Sequence, residues 1–329
     1  AMATRKIAPA LAAGCTVVIK PAAETPLTAF AIAQIMAEAG VPDGVVNIVP
    51  TTNAGSIVTA WLEDPRVRKI SFTGSTEVGR VLLRQAADRV VNASMELGGN
   101  APFIIADDAD VDAAVAGALI AKLRNGGQAC TAANRFYVHE SVVDEFTNKF
   151  GREIAALRVG AAADPATQIG PLINQKAVDR VTSLVESAIA AGARITHRGT
   201  LPEDAKGYFY APTLLRDVPA DSRIIREEIF GPIAPIVTWT NDKELIELVN
   251  SSEFGLAAYV YSRDLQRAMQ LGEAIDAGMV GINRGIVSDP STPFGGVKQS
   301  GLGREGARLG LEAFQETQYL SIAWPELVP

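Results

Sequence analysis

The sequence is short of the residues from which many sites are built. It has two cysteines, Cys15 and Cys130, and two histidines, His139 and His197. Two cysteines exclude a disulfide framework and a cysteine-rich zinc site. Two histidines leave little material for His-based metal or triad chemistry, so no metal site is expected. Long apolar runs are missing too. A membrane span needs roughly 20 residues, and the longest candidates, Ala8–Ile19 and Val111–Leu123, are checked by Lys20 and Lys122. The opening Ala1–Lys6 lacks the apolar stretch of a signal peptide. Nor is there a basic block: 30 Lys and Arg stand against 37 Asp and Glu, a net charge of −7. Such a chain is a poor ligand for nucleic acid or an anionic membrane surface. A reducing, cytoplasmic setting is expected.

What is present is globular. The chain has 329 residues, 48% hydrophobic and 20% charged, with 29 Gly and 18 Pro. That is enough for two or three domains, at roughly 100–200 residues each. The first hundred residues alternate between strand and helix patterns. Cys15–Ile19, Val45–Val49 and Lys69–Phe72 read as strands. Cys15, inside the first of these, reads as core. Thr25-Pro26 opens a helix that Gly40 closes, Asn53–Leu62 is helical, and a further helix follows Gly74–Gly79 to about Ala87. Strands separated by helices predict βαβ units and a parallel sheet.

The alternation continues with different content. Strands are expected at Pro102–Ile105, Arg135–Val138, Ile233–Thr238, Ala257–Tyr261 and Met279–Ile282. Helices are expected at Val111–Leu123, Val142–Leu157, Asn174–Ala191, Asp242–Asn250, Asp264–Ala274 and near Gly306–Phe314. The Gly- and Pro-rich stretch Ser288–Gly303 reads as a long loop, and Gln318–Ala323 is strand-like.

Five places offer chemistry. Cys130 follows the small-residue turn Asn125-Gly126-Gly127-Gln128-Ala129, where glycines let a ligand approach the backbone. An accessible thiolate there attacks a carbonyl carbon; a buried structural cysteine is the alternative the local residues leave open. Glu96 precedes Gly98-Gly99 with apolar flanks, which suits a desolvated general base, although the local residues alone favour an ordinary exposed strand end. Phe72–Gly79 is a strand–turn–helix junction where backbone N–H groups and Ser75 can hold a phosphate; Ser75 or Thr76 as a plain helix cap is the alternative. Lys20 ends a strand, the edge where parallel sheets take ligands. Glu227–Pro232 places carboxylates and Phe230 before a Gly-Pro break.

Taken in order, Val18–Thr25, Phe72–Gly79, Met95–Asn100, Gln128–Cys130, Glu227–Pro232 and Pro293–Gly303 resemble the aldehyde dehydrogenase superfamily, over the whole chain and most like its succinate-semialdehyde dehydrogenases. The resemblance implies an α/β fold of three layers with open, largely parallel sheets. It implies a Rossmann-like cofactor domain over residues 1–98, a catalytic domain over 99–298, and a return helix with an oligomerisation strand over 299–329. Cys130 matches the nucleophile and Glu96 the general base. Lys20 matches the lysine on the adenosine ribose; Gly74, Ser75 and Gly79 match the pyrophosphate turn. Glu228 and Phe230 match the carboxylate and aromatic at the nicotinamide ribose.

The implied reaction oxidises an aldehyde to an acid through a thiohemiacetal and a thioester on Cys130, with hydride passing to NADP or NAD and Glu96 activating water. Arg124 and Ser288 match residues that take the distal carboxylate of succinate semialdehyde, although Lys122 and Arg124 also read as solvated ends of a helix. Glutarate semialdehyde is the alternative substrate. At Ala23, NAD-preferring relatives often carry Glu, whose charge repels a 2′-phosphate; Ala lifts that repulsion, so the cofactor preference leans to NADP. A redox switch is not expected, because Ala132 stands where some relatives have a second cysteine. A homodimer or homotetramer is implied through Gln318–Ala323. Family chains carry a substantial portion ahead of the position of Ala1, including an asparagine that donates to the oxyanion. The resemblance therefore implies a partial cofactor domain, and a non-catalytic remnant serving as an oligomer subunit stands as the alternative to an enzyme.

Overall fold

The computed structural model describes residues 2–203 and 205–324. The chain divides into two compact units. One comprises the residues up to Trp61, Pro290–Pro293 and the chain from Arg304 on; the other comprises Leu62–Asp289 and Phe294–Gly303.

The first unit holds one small βαβ motif. Strands Val17–Ile19 and Val46–Ile48 pair in parallel, Val17 opposite Val46. The helix Pro26–Glu38 joins them and starts on Pro26, whose fixed φ suits the first turn. Thr25 is its N-cap by position, but its side chain makes no capping bond. The strand is shorter and more open than the sequence predicts. Cys15 lies ahead of it, half-buried, with Sγ 3.7 Å from the carbonyl oxygen of Phe314, and Val18 is exposed. Cys15 is thus not a core strand residue: the chain is still turning at Gly14, where φ is +80°. A helix absent from the sequence reading, Met2–Ala12, buries Ile7 and Ala10. Its Lys6 ammonium pairs with the buried carboxylate of Glu305, just ahead of the helix Ala307–Glu312.

The second unit contains two sheets. In the smaller, Lys69–Thr73 and Asn92–Glu96 run parallel, linked by the helix Thr76–Ala87. Gly301–Leu302 adds antiparallel on the far side of Asn92–Glu96, with Gly301 opposite Glu96. The stretch expected as one long loop, Ser288–Gly303, is therefore interrupted by this strand and by Val297–Lys298. Short pairings of two residues carry no periodicity from which they can be read.

The larger sheet has seven strands, in the order Met279–Ile282, Ala257–Tyr261, Ala101–Ile105, Ala133–His139, Ile233–Trp239, Thr213–Arg216, Arg194–Arg198. Every neighbouring pair is parallel except the last. Alternate side chains enter opposite layers, as strand geometry requires. Phe103, Ile105, Phe136 and Val138 join Phe146 and Phe150 in one core, while Ile104 and Tyr137 join Leu184, Ile224 and Ile233 in the other. Both faces are covered, so the strands read as continuous apolar runs rather than alternating ones. That is the expected three-layer α/β architecture. The helix Val111–Leu123 starts where predicted because the Asp110 side chain accepts from Ala113 N at 3.0 Å. The segment from 315 to 324 forms no strand within the described chain, and Tyr319, Leu320, Ile322 and Trp324 are exposed.

Candidate active site

The site grows out of the end of the strand Asn92–Glu96. Its neighbour Lys69–Thr73 stops level with it, Thr73 opposite Glu96, and Gly74 N donates to the Glu96 carbonyl oxygen at 3.1 Å. The predicted phosphate turn and the predicted base are therefore adjacent. Ser75 and Gly74 are exposed at the start of the helix Thr76–Ala87, and Ser75 Oγ accepts from Val78 N at 3.4 Å. Ser75 is a helix cap, as one sequence reading had it, and the exposed helix start leaves donors available to an anion. Gly79 is buried against Leu97, and a Cβ there would collide with that side chain.

Glu96 itself is 3% exposed; the reading as an ordinary exposed strand end does not apply. After it the chain turns through Gly98 and Gly99. Ser300, fully buried, donates from Oγ to Gly98 O at 2.7 Å, and its own carbonyl accepts from Leu97 N at 2.9 Å. The Gly-rich return segment thus clamps the turn that follows the carboxylate. Gly99 is glycine for a specific reason: a Cβ there would run into the carbonyl oxygen of Cys130.

Cys130 arrives from the opposite side. The helix Val111–Leu123 ends, and Asn125, Gly126 and Gly127 follow with φ of +56°, +62° and +76°. Three successive left-handed residues reverse the chain sharply; glycine takes this at no steric cost, and Asn125 is held by its own side chain donating to Gln128 O at 2.9 Å. Cys130 is half-buried and packs against the core cluster of Phe103 and Tyr259. Beyond it, Tyr259 donates its hydroxyl to Thr131 O at 2.8 Å, fixing the peptide next to the sulfur. Arg124 is exposed on the same turn, its Nη2 3.5 Å from Thr131 Oγ1.

Glu228 closes the group. Its Oε1 accepts from Gly99 N at 3.0 Å, and its Oε2 lies 3.0 Å from where a Cβ at position 98 would stand. Burial pushes its carboxyl above the usual range, opposed by the Gly99 N–H and by Arg180 and Lys122. Phe230 is exposed, with φ of +53°. Ser288 is half-buried in the loop after Met279–Ile282, beside Val287, which packs on the same cluster as Cys130. Lys20, whose Nζ donates to Pro21 O at 2.6 Å, and the exposed Ala23 belong to the first unit.

The framework that holds Glu228 is carried by residues outside the sequence motifs. Asn134 Nδ2 donates to Asn100 Oδ1 at 2.7 Å and to Glu227 O at 2.9 Å, while its Oδ1 accepts from Ile229 N at 3.1 Å. Asn100 Nδ2 donates to Ile225 O at 2.8 Å, and Arg135 Nε to Asn100 O at 2.9 Å. The signal available was polarity: Asn134 and Arg135 interrupt an otherwise apolar strand, and buried polar side chains are bonded for a purpose. The sequence lets Lys122, like Arg124, stand as a solvated residue at a helix end. Lys122 is instead fully buried, with Ala121 and Leu123 beside it in the last turn of the helix. Among the described residues no cluster of three or more His, Cys, Asp or Glu could hold a metal ion, and no helix is long and apolar enough to cross a membrane.

Residues 1–320 match the model of the aldehyde dehydrogenase family. The chain is 55% identical over 325 residues to a succinate-semialdehyde dehydrogenase of Paenarthrobacter nicotinovorans, covering 99% of this chain and 72% of that one. It is 48% identical to a glutarate-semialdehyde dehydrogenase of Pseudomonas putida, with 98% and 66% covered. Among solved structures it superposes on an NADP-dependent enzyme of Escherichia coli with a TM-score of 0.95 and 49% identity, covering 98% of this chain and 66% of the other. The chain thus spans about two thirds to three quarters of the length of these relatives.

Proposed function

The chain belongs to the aldehyde dehydrogenase family, and from that premise we propose that it oxidises an aldehyde to a carboxylic acid with NADP or NAD, the aldehyde being succinate semialdehyde. The observation that carries this is the meeting of two turns: the one after Glu96 presses on the carbonyl of Cys130 so closely that only glycine fits at position 99. A nucleophile and a base on adjoining turns are what a covalent acyl transfer needs.

The residues present suit a dinucleotide. Gly74 and Ser75 leave a helix start open to a pyrophosphate, and Glu228, poised over a pair of glycines, is placed to accept from ribose hydroxyls. On the first unit, Lys20 is assigned to the adenosine ribose, and Ala23 offers no charge against a 2′-phosphate, which favours NADP. When bound, the nicotinamide supplies the hydride acceptor.

The protein's own steps follow from the side chains. The Cys130 thiolate adds to the aldehyde carbon, and its backbone N–H is a donor for the resulting oxyanion. Once the sulfur carries an acyl group, Glu96 takes a proton from water, which attacks the thioester and frees the acid. Arg124, exposed at the turn, is the group for the distal carboxylate; a guanidinium fork suits that anion by shape and permanent charge. Ser288 is assigned to the same carboxylate. Glutarate semialdehyde is the second reading, favoured by the 48% identity to an enzyme of that name.

The remaining assignments belong to the same proposal. Residues 1–98 serve the cofactor, 99–298 the chemistry, and 299–329 return and pair with a second copy, giving a homodimer or homotetramer. The exposed apolar side chains between 319 and 324 support such a pairing. The cytoplasm is the proposed setting. The test is steady-state turnover of succinate and glutarate semialdehydes with NADP+ and NAD+ in parallel, for the wild-type chain and Cys130→Ala. Reduction of nucleotide that depends on Cys130, with kcat/KM highest for succinate semialdehyde and NADP+, supports the proposal. Turnover indifferent to Cys130 contradicts it.

A further inference from the structure

Tyr259 is 2% exposed, in the middle of the strand Ala257–Tyr261. Its neighbours leave the ring no room to swing. On one side it stands opposite Phe103, with ring centroids 5.7 Å apart. On the other it stands opposite Gly281, where a Cβ would come within 3.2 Å of Tyr259 Cδ1. Packing does not call for a hydroxyl here, since Phe103, Phe136, Phe146 and Phe150 fill the same cluster without one. A buried phenol is chosen over a phenyl ring for what its O–H can reach.

This hydroxyl reaches Thr131 O at 2.8 Å, 128 residues away in the chain. Burial raises the phenol well above its ordinary range, so it stays protonated and a donor. Arg124 meets the same residue only at the side chain, its Nη2 3.5 Å from Thr131 Oγ1. Ala132 N donates to Ala129 O at 2.9 Å, so residues 129 to 132 form one closed turn with Cys130 and Thr131 at its centre. The turn has two central carbonyls, and each meets a different element. That of Cys130 rests against Gly99, leaving no room for a Cβ there. That of Thr131 is held by Tyr259. The first contact sets how close the turn stands to the Glu96 segment. The second sets how the turn is rotated about that contact.

We infer that Tyr259 is a positioning residue for the nucleophile: its hydroxyl fixes the plane of the Thr131 peptide and, through it, the direction in which the turn presents the Cys130 sulfur and main-chain N–H. This rests on the nucleophile role proposed above for Cys130. Without the hydroxyl the turn pivots on Gly99, and a shift of about 1 Å between reacting atoms costs on the order of 100-fold in rate.

The experiment compares Tyr259→Phe with the wild-type chain and with Tyr261→Phe. Tyr261 is the matched control: it is 2% exposed on the same face of the same strand, its ring 5.0 Å from that of Phe103. Its hydroxyl abuts Gly117, where it would collide with a Cβ, rather than the Cys130 turn. Three quantities are read at a temperature where thermal melting shows each protein folded. They are the pre-steady-state burst of NADPH from succinate semialdehyde, NADP+ affinity by calorimetry, and alkylation of Cys130 by iodoacetamide. Alkylation needs a reactive thiol but no oriented oxyanion donor. In Tyr259→Phe the burst slows by about 10–100-fold, while NADP+ affinity and alkylation match the wild type. Tyr261→Phe matches the wild type in all three. A Tyr259→Phe burst as fast as the wild type's, an equal slowing in Tyr261→Phe, or a parallel fall in alkylation overturns the inference. So does a Tyr259→Phe chain that does not fold, since the role of the hydroxyl would then be structural. A wild-type chain without a burst refutes the proposed function itself, whereas a wild-type burst that Tyr259→Phe leaves intact refutes this inference alone.

Discussion

The α-carbon of Gly99 lies against the carbonyl oxygen of Cys130, with no room for a methyl group between them. The strand that ends in Glu96 and the left-handed turn that delivers Cys130 are therefore locked together by backbone, independently of either side chain. Position 99 is where that lock is most easily broken. Gly99→Ala forces the two turns apart, at about 1–3 kcal/mol of stability for an overpacked site, and costs aldehyde turnover out of proportion to the lost stability. Thermal melting alongside kcat checks this; an alanine variant with wild-type kcat would show that the spacing does not matter.

Asn134 ties Asn100, Glu227 and Ile229 into one piece. Its replacement by Ala strands the Ile229 N–H and the Glu227 carbonyl, at about 1–3 kcal/mol, and loosens the segment on which Glu228 sits. Denaturant unfolding should show the loss, and the KM for nucleotide should rise more than the KM for aldehyde. A variant in which both KM values move equally would separate Asn134 from Glu228.

Arg124 is the proposed specificity residue. Arg124→Ala is expected to raise KM for succinate semialdehyde by about 10–100-fold, the worth of a charge-assisted hydrogen bond. A neutral aldehyde such as propanal should be spared. Equal effects on the two substrates would remove the specificity argument while leaving the chemistry intact.

Lys122 also predicts a pH dependence of stability. Burial lowers its pKa from an ordinary 10.5 to about 7. Between those values the unfolded chain holds the proton and the folded chain does not. Stability therefore rises with pH through the window from about 7 to 10.5, and the penalty is greatest below it. In Lys122→Met this rise should vanish from urea unfolding measured across the window. A variant with the same pH slope as the wild type would mean that the ammonium is solvated after all.

Much of this architecture is legible in the sequence because the central strands, buried on both faces, are unbroken apolar runs, and because helices such as Val111–Leu123 carry a cap and a stop. The edge strand Arg194–Arg198 was not legible: three of its five residues are exposed, and its pairing with Thr213–Arg216 is antiparallel with a register shift. Two-residue strands such as Gly301–Leu302 escape any periodic test, yet this one flanks Glu96. At the site, the ordered motifs pointed to Cys130, Glu96 and Glu228. They could not reveal that Lys122 is buried while Arg124, two residues on, is exposed. That difference comes from where one helix ends relative to the turn above it, which is tertiary information. Asn134 was missed for a similar reason: its partners lie 34 and more residues away.

The most direct measurement is mass spectrometry of the chain quenched during turnover with succinate semialdehyde and NADP+, for the wild type and Glu96→Gln. The account predicts a succinyl group on the peptide containing Cys130, scarce in the wild type and accumulating in Glu96→Gln, where water is no longer activated against the thioester. Acid formed with no acyl group on Cys130 in either protein would contradict it.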